Sequence, residues 1–167
     1  MGGGVLRAEG STAALEDGEP YAVRYAIELD ERTRTRFVHV WGRSRSGPRA
    51  VTLEADGHGC WLVDGRAAPH VDGCLDVDLE SSALTNAFPV RRLGLAPGEA
   101  ADAPAAYVRA LDLGVERLDQ RYVRLDGGTG NQRYDYTCPT RSFRCELAYD
   151  AAGLVLDYPG IATRAPG

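Results

Sequence analysis

The chain has 167 residues, 44% of them hydrophobic and 26% charged, which suits one globular domain large enough to bury a core. Its net charge of -5 argues against a nucleic-acid surface, and no apolar run approaches the length of a membrane span. The basic residues are all arginine, a usage that codon bias explains, although each guanidinium offers a planar fork suited to carboxylates and phosphates.

The expected organisation is a single domain over residues 1–167, with about 1–18 forming an N-terminal strand and loop. The start, Met1-Gly2-Gly3-Gly4, lacks a basic n-region, and Leu6 stands where a myristoylation site wants Ser or Thr. The expected location is therefore the cytoplasm. Cys60, Cys74, Cys138 and Cys145 are then read as reduced thiols.

A short strand is predicted around Val5 to Arg7, followed by a loop rich in Gly and Ala up to Pro20. Tyr21 to Leu29 alternates, with Tyr21, Val23, Tyr25, Ile27 and Leu29 on one face. Arg34 to Trp41 predicts a second strand, and Arg43 to Pro48 a polar turn. Asp56-Gly57, Asp64-Gly65 and Asp72-Gly73 then recur every eight residues. Asp-Gly tolerates the positive φ of a tight hairpin, so this spacing predicts an antiparallel meander from Val51 to Glu80.

Gly73 to Leu93 is the stretch on which the rest turns. Leu75, Val77 and Leu79 alternate with Asp76, Asp78 and Glu80, the period of a strand. Thr85-Asn86 and Pro89 break that pattern, and Ser81 to Leu93 is expected as an irregular connection. Ala96 to Ala106 reads as a loop with at most one helical turn. Strand character returns in Tyr107 to Leu113 and Val115 to Leu125. Asp126 to Gly130 is predicted as a hairpin loop. Asn131 to Cys138 and Ser142 to Tyr149 pair around Pro139, and Leu154 to Tyr158 is the expected last strand. Many short strands with no helix of ordinary length predict an all-β barrel, roll or sandwich.

Several constellations carry chemistry. Asp76 and Asp78 share a strand face, which puts their Cβ atoms roughly 6.5 to 7 Å apart. One carboxyl could be desolvated and act as an acid, in the manner of a glycosidase pair; two aspartates decorating a solvent-facing strand are the plainer reading. Arg91 and Arg92 would point to opposite faces of a continuing strand, so only one could reach Asp76 or Asp78. A buried pair of this kind would hold the Asp pKa down. The Asn86 amide either ties a turn or serves sugar hydroxyls. His58, Cys60, His70 and Cys74 match no zinc spacing, so neither a metal nor a cofactor is expected. Gly127 to Gly130 resembles a phosphate loop only in its glycines, and no nucleophile elbow is present. Tyr21, Tyr25, Trp41, Trp61, Tyr107, Tyr122, Tyr134, Tyr136 and Tyr158 are spread through the strands and suit the rim of a core or the wall of an amphiphile site.

The motif Gly73-Cys74-Leu-Asp76-Val-Asp78-Leu, followed by Thr85-Asn86-Ala-Phe-Pro89-Val-Arg91-Arg92-Leu, resembles the signature of the bacterial putative glycolipid-binding proteins. So does Gly153-Leu-Val-Leu-Asp157-Tyr158-Pro159-Gly160. Gln120-x-Tyr122, Phe143-x-Cys-Glu146-Leu and the Trp61 strand also match, while Ala83 stands where relatives often carry Pro. The resemblance covers nearly the whole chain. It implies a spiral β-roll that binds a glycolipid or takes part in its metabolism, and it supplies no catalytic residue. It makes Asp76, Asp78, Thr85, Asn86, Arg91, Arg92, Asp157 and Tyr158 the candidate ligand-binding residues. The implied partner is a glycolipid or another amphiphilic small molecule. A hydrolase or transferase acting on a glycan or lipid ester through Asp76 or Asp78 is the alternative.

Overall fold

The computed structural model describes residues 5–126 and 130–165. Six strands run in sequence order through one antiparallel sheet: β1 (Leu6–Glu16), β2 (Glu19–Leu29), β3 (Thr35–Ser44), β4 (Gly47–Ala55), β5 (Trp61–Val63) and β6 (Arg66–Ala67). A short strand β7 (Asp76–Leu79) follows, then the helix α1 (Ala87–Leu93). Next come β8 (Ala100–Asp102), β9 (Ala105–Val108), β10 (Val115–Leu118), β11 (Arg121–Arg124), β12 (Gln132–Cys138), β13 (Phe143–Tyr149), β14 (Val155–Tyr158) and β15 (Ala162–Thr163). A three-stranded sheet has the order β10-β9-β7, and a second six-stranded sheet the order β15-β14-β13-β12-β11-β8. The protein is all-β, as its alternating segments predict.

Tyr21, Val23, Tyr25, Ile27 and Leu29 are all buried on the inner face of β2, as the alternation requires. They pack with Val38, Val40, Leu53, Trp61, Val77 and Leu79 in one apolar core. A second core gathers around Tyr122, Tyr134, Tyr136, Leu147, Tyr149 and Tyr158. The tyrosines expected at the rim of a core therefore form the middle of one. Ring centroids 5.1 to 6.3 Å apart join Tyr122 to Tyr134 and Tyr136, and Tyr134 to Tyr149.

Several expectations are corrected. The predicted N-terminal loop is part of β1, an eleven-residue strand paired along its whole length with β2. Its inward positions are Ala8, Gly10, Thr12 and Ala14, too small to give a hydrophobic alternation. The Tyr25 side chain fills the space a Cβ on Gly10 would need. The turn that follows, Asp17-Gly18, is a two-residue hairpin with φ of 49° and 79°, and Asp64-Gly65 is another with 48° and 73°.

The other two Asp-Gly pairs of the eight-residue series are not hairpins of this kind. Asp56-Gly57 opens the longer β4–β5 loop, where its carboxylate accepts from the amides of His58 and Cys60. Asp72-Gly73 ends a 3-10 turn over Pro69–Val71. The meander therefore stops at β6, and β7 pairs in parallel with β9 instead. Parallel pairing needs a long crossover, and that crossover holds a 3-10 turn (Ala83–Asn86) running into α1. Pro89 sits in the first turn of this helix, where a missing N–H costs nothing. Ala96 to Ala106 contains β8 and the start of β9 rather than a loop. Asp119-Gln120 splits the predicted Val115 to Leu125 strand into β10 and β11, and β15 lies beyond the expected last strand. Three residues of the predicted Asp126 to Gly130 hairpin loop, which includes the glycine-rich segment, lie outside the described residues. The strands that flank it, β11 and β12, pair antiparallel.

Candidate functional site

β7 is buried on both faces. Val77 and Leu79 enter the first core, while Asp76 and Asp78 point towards the second. The solvent-facing reading of the two aspartates is overturned: Asp76 is 1% exposed and Asp78 8%. The edges of the strand are tied down too. The Val77 amide donates to Thr35 Oγ1 at 3.0 Å, and the Thr35 amide to the Leu75 carbonyl at 3.0 Å.

Each aspartate is held differently. Arg92, on α1, donates Nε and Nη2 to the two oxygens of Asp76 at 3.2 and 2.6 Å. Burial pushes the Asp76 carboxyl above its ordinary value and the Arg92 fork pulls against it, so the expected depression by a buried arginine is outweighed. Arg91 is exposed, with its stem over Gly153, and does not join the cluster. This division between the arginines arises on a helix, not on the strand expected from sequence.

Among the described residues no cation is in hydrogen-bond contact with Asp78. Thr85 Oγ1 donates to its Oδ1 at 2.7 Å and Gln120 Nε2 to its Oδ2 at 2.6 Å. Burial raises the Asp78 carboxyl above its ordinary value, against these two hydrogen bonds and the more distant charge of Arg141. The network continues outward from there. Tyr122 donates to Gln120 Oε1 at 3.3 Å, Asn86 Nδ2 donates to the Tyr122 hydroxyl at 3.1 Å, and Tyr149 donates to the Asn86 carbonyl at 3.3 Å. Among the described residues every buried side-chain nitrogen and oxygen has a partner. Thr85 and Asn86 occupy the 3-10 turn that the sequence marks only as a break, and this turn brings them beneath β7.

Asp78 also reaches the floor of a recess of about 470 Å3 between the three-stranded sheet and the C-terminal sheet. Tyr107, Leu118, Tyr136, Phe143 and Tyr158 supply apolar and aromatic walls; Glu16, Glu80 and Arg141 supply charge. Arg141 lies 4.4 Å over the Tyr107 ring and donates to Glu116 Oε1 at 2.8 Å. Burial pushes the hydroxyls of Tyr107, Tyr136 and Tyr158 well above the ordinary phenol value, so they are neutral donors. Such a wall can bind an apolar body while offering hydroxyls and carboxylates to a polar head.

Of the candidate residues, Asp78 and Tyr158 line the recess; Thr85 holds Asp78 directly, and Asn86 is linked to it only through Tyr122 and Gln120. Asn86 also lines a small annex of about 60 Å3 beside it. Asp76 and Arg92 form a separate buried pair. Asp157 accepts from Thr163 Oγ1 at 2.9 Å within the β14–β15 hairpin and does not line the recess. Sequence reasoning gave no site role to Gln120 or Arg141. Gln120 sits in a polar break between two strands, and Arg141 in the turn after Pro139, read only as a connection. The Gln120-x-Tyr122 match to the family signature is the signal that could have marked Gln120.

A second recess of about 560 Å3 lies at the far end of the first sheet, lined by Trp61, Leu62, Pro69 and the carboxylates of Glu54, Asp56 and Asp72. It is mostly apolar and contains none of the candidate residues. The four cysteines are free. Among the described residues no group of three or more His, Cys, Asp or Glu is placed to hold a metal ion, and no helix is long and apolar enough to cross a membrane.

Fold and site together define an all-β protein with a recess of ligand size floored by a buried carboxylate. The chain belongs to a family described as "Putative glycolipid-binding", whose sequence profile matches residues 1–164. It is also similar to a DUF1089 family protein from Pseudomonas aeruginosa of known crystal structure, with 34% identity over 99% of this chain and 94% of that one, at a TM-score of 0.81. No curated protein matches the chain.

Proposed function

We propose that this protein binds a glycolipid or a related amphiphile in the recess floored by Asp78. The observation that carries the reading is the pairing, in one cavity of about 470 Å3, of a buried carboxylate with walls of Tyr107, Tyr136, Phe143 and Tyr158. That volume lies within the range of small-molecule sites of roughly 300 to 1,000 Å3. The polar head contacts Asp78, Glu80 and the tyrosine hydroxyls, and the apolar portion lies along Leu118, Phe143 and Ile161.

The charges in the lining narrow the class of head group. Glu16, Asp78 and Glu80 face a single arginine, Arg141, which already serves Glu116 and the face of Tyr107. An uncharged polyhydroxyl head suits this balance better than a phosphate or sulfate. The family description agrees in naming a glycolipid.

A hydrolase using Asp76 and Asp78 as an acid–base pair finds less support. Asp76 does not line the recess, and its two oxygens are occupied by Arg92. Burial raises both carboxyls, but only that of Asp78 lines the recess with no arginine on its oxygens, and so only it is placed to serve as an acid.

Isothermal titration of the wild-type chain with octyl glucoside, sodium octyl sulfate and octanol tests the proposal. Saturable binding of the glucoside, lost in Tyr158→Ala, is expected. Equal affinity for all three, or binding untouched by changes at Tyr158 and Phe143, would remove the recess as the site.

A further inference from the structure

We propose that the cavity at the far end of the first sheet is a second ligand site, separate from the recess beside Asp78, and that it takes an ammonium ion carried on an apolar body. Its volume of about 560 Å3 exceeds the 470 Å3 of the recess and falls within the range of small-molecule sites. The two cavities share no lining residue.

Hydrogen bonds hold its walls apart. The Trp61 indole donates to the Cys74 carbonyl at 2.8 Å, and the Ala68 amide to the Trp61 carbonyl at 3.0 Å. The Gly73 amide donates to the Gly59 carbonyl at 2.8 Å, which ties the β4–β5 loop to the turn ending at Asp72. On this frame Ala55, Leu62, Ala67 and Pro69 present an apolar surface. Leu62 is one of the exposed large hydrophobics, and an apolar body laid over it removes that area from water.

Charge selects the ligand. Glu54, Asp56 and Asp72 line the cavity, and no Arg or His does. Among the described residues none of the three carboxylates forms an ion pair. The arginines that approach the rim are engaged elsewhere. Arg36 donates to the Ala55 carbonyl at 3.0 Å and lies 4.0 Å from Asp30. Arg117 donates to the Asp72 carbonyl at 2.7 Å and pairs with Asp119 at 2.9 Å. The amides of His58 and Cys60 hold the Asp56 carboxyl below its ordinary value, so it is charged. That charge in turn pushes the Cys60 thiol up, with Asp72 adding to the effect. A field that disfavours a thiolate on the wall favours a cation in the cavity. An anionic ligand would meet three carboxylates and no counter-charge. The carboxylates are not grouped to hold a metal ion, and the apolar surface between them calls for carbon beside the charge.

Octylammonium, octyl sulfate and octanol share one chain and differ in head charge. In amide and indole NMR spectra of the full chain, octylammonium should shift the Trp61 indole and the Leu62 and Ala67 amides saturably, and leave the indole of Trp41 in place. Its affinity should exceed that of octyl sulfate at least about tenfold and fall with added salt, while that of octanol should not. Glu54→Gln with Asp72→Asn should bring octylammonium down to the level of octanol, and Leu62→Arg should abolish the shifts. All three positions are exposed, so the circular-dichroism melt should hold. Tyr158→Ala, in the recess, should leave the shifts unchanged. Wild-type shifts at these groups that never saturate, equal affinity for the three compounds, shifts lost in Tyr158→Ala, or binding indifferent to the paired Glu54 and Asp72 substitutions would each overturn the proposal.

Discussion

Gln120 Nε2 donates to Asp78 Oδ2 at 2.6 Å, joining the β10–β11 break to a strand 42 residues earlier. Thr85 holds the other oxygen of the same carboxylate at 2.7 Å. The floor of the recess is therefore fixed by neutral donors, and the cost of burying its charge is only partly offset.

That balance predicts the sign of a pH effect. The folded-state pKa of Asp78 is raised, so between the unfolded and folded values the native chain holds a proton that the unfolded chain has lost. Stability then falls as pH rises through this window and levels off above the folded pKa. Asp30, Asp112 and Asp150 act oppositely, because their folded pKa values are lowered and their contributions fade as pH falls. Urea melts of wild type and Asp78→Asn across acid and neutral pH separate the two. The variant should gain relative to wild type as pH rises. It remains bonded because Thr85 Oγ1 can turn its hydrogen to the Ser82 carbonyl, 2.9 Å away. A constant difference between the two proteins would contradict the raised pKa.

Arg92→Ala should strand the Asp76 carboxylate and lower stability by about 3 to 5 kcal/mol. Replacing both partners, as Asp76→Leu with Arg92→Met, should recover most of that loss. Arg91→Ala, on the exposed side of the same helix, should stay within about 0.5 kcal/mol. Chemical denaturation midpoints for the four proteins make the comparison.

Gln120→Leu should cost about 1 to 3 kcal/mol, since it leaves one buried oxygen of Asp78 without a donor. The loss should shrink in the Asp78→Asn background, because the desolvated group is then uncharged. A double-mutant cycle on the urea midpoint measures that coupling.

Gly59→Ala should destabilise by more than about 1 kcal/mol. Its φ is 105°, and an added Cβ would lie 3.0 Å from the backbone of Gly73, whose amide donates to the Gly59 carbonyl at 2.8 Å. Gly47→Ala shares the positive φ but meets open space, so it isolates the strain from the clash. The difference between their thermal midpoints gives the cost of the close approach.

The residue pattern alone determined β2, β3 and the β12–β13 pair, because segments such as Tyr21 to Leu29 and Asn131 to Cys138 alternate between a wet and a dry face. It also placed Asp76 and Asp78 on one side of a strand. What it could not say is that both sides of β7 are interior. Alternation is a local property, whereas the second layer that buries Asp76 and Asp78 is built from Arg92, Gln120 and the tyrosines of distant strands. β1 was hidden for the converse reason: its inward residues are small because Tyr25 fills the space, and strand identity there comes from pairing with β2. The parallel β7–β9 ladder, the α1 crossover that brings Arg92 rather than Arg91 to Asp76, and the recess beside Asp78 were decided by tertiary packing, since each depends on chain segments meeting across many intervening residues.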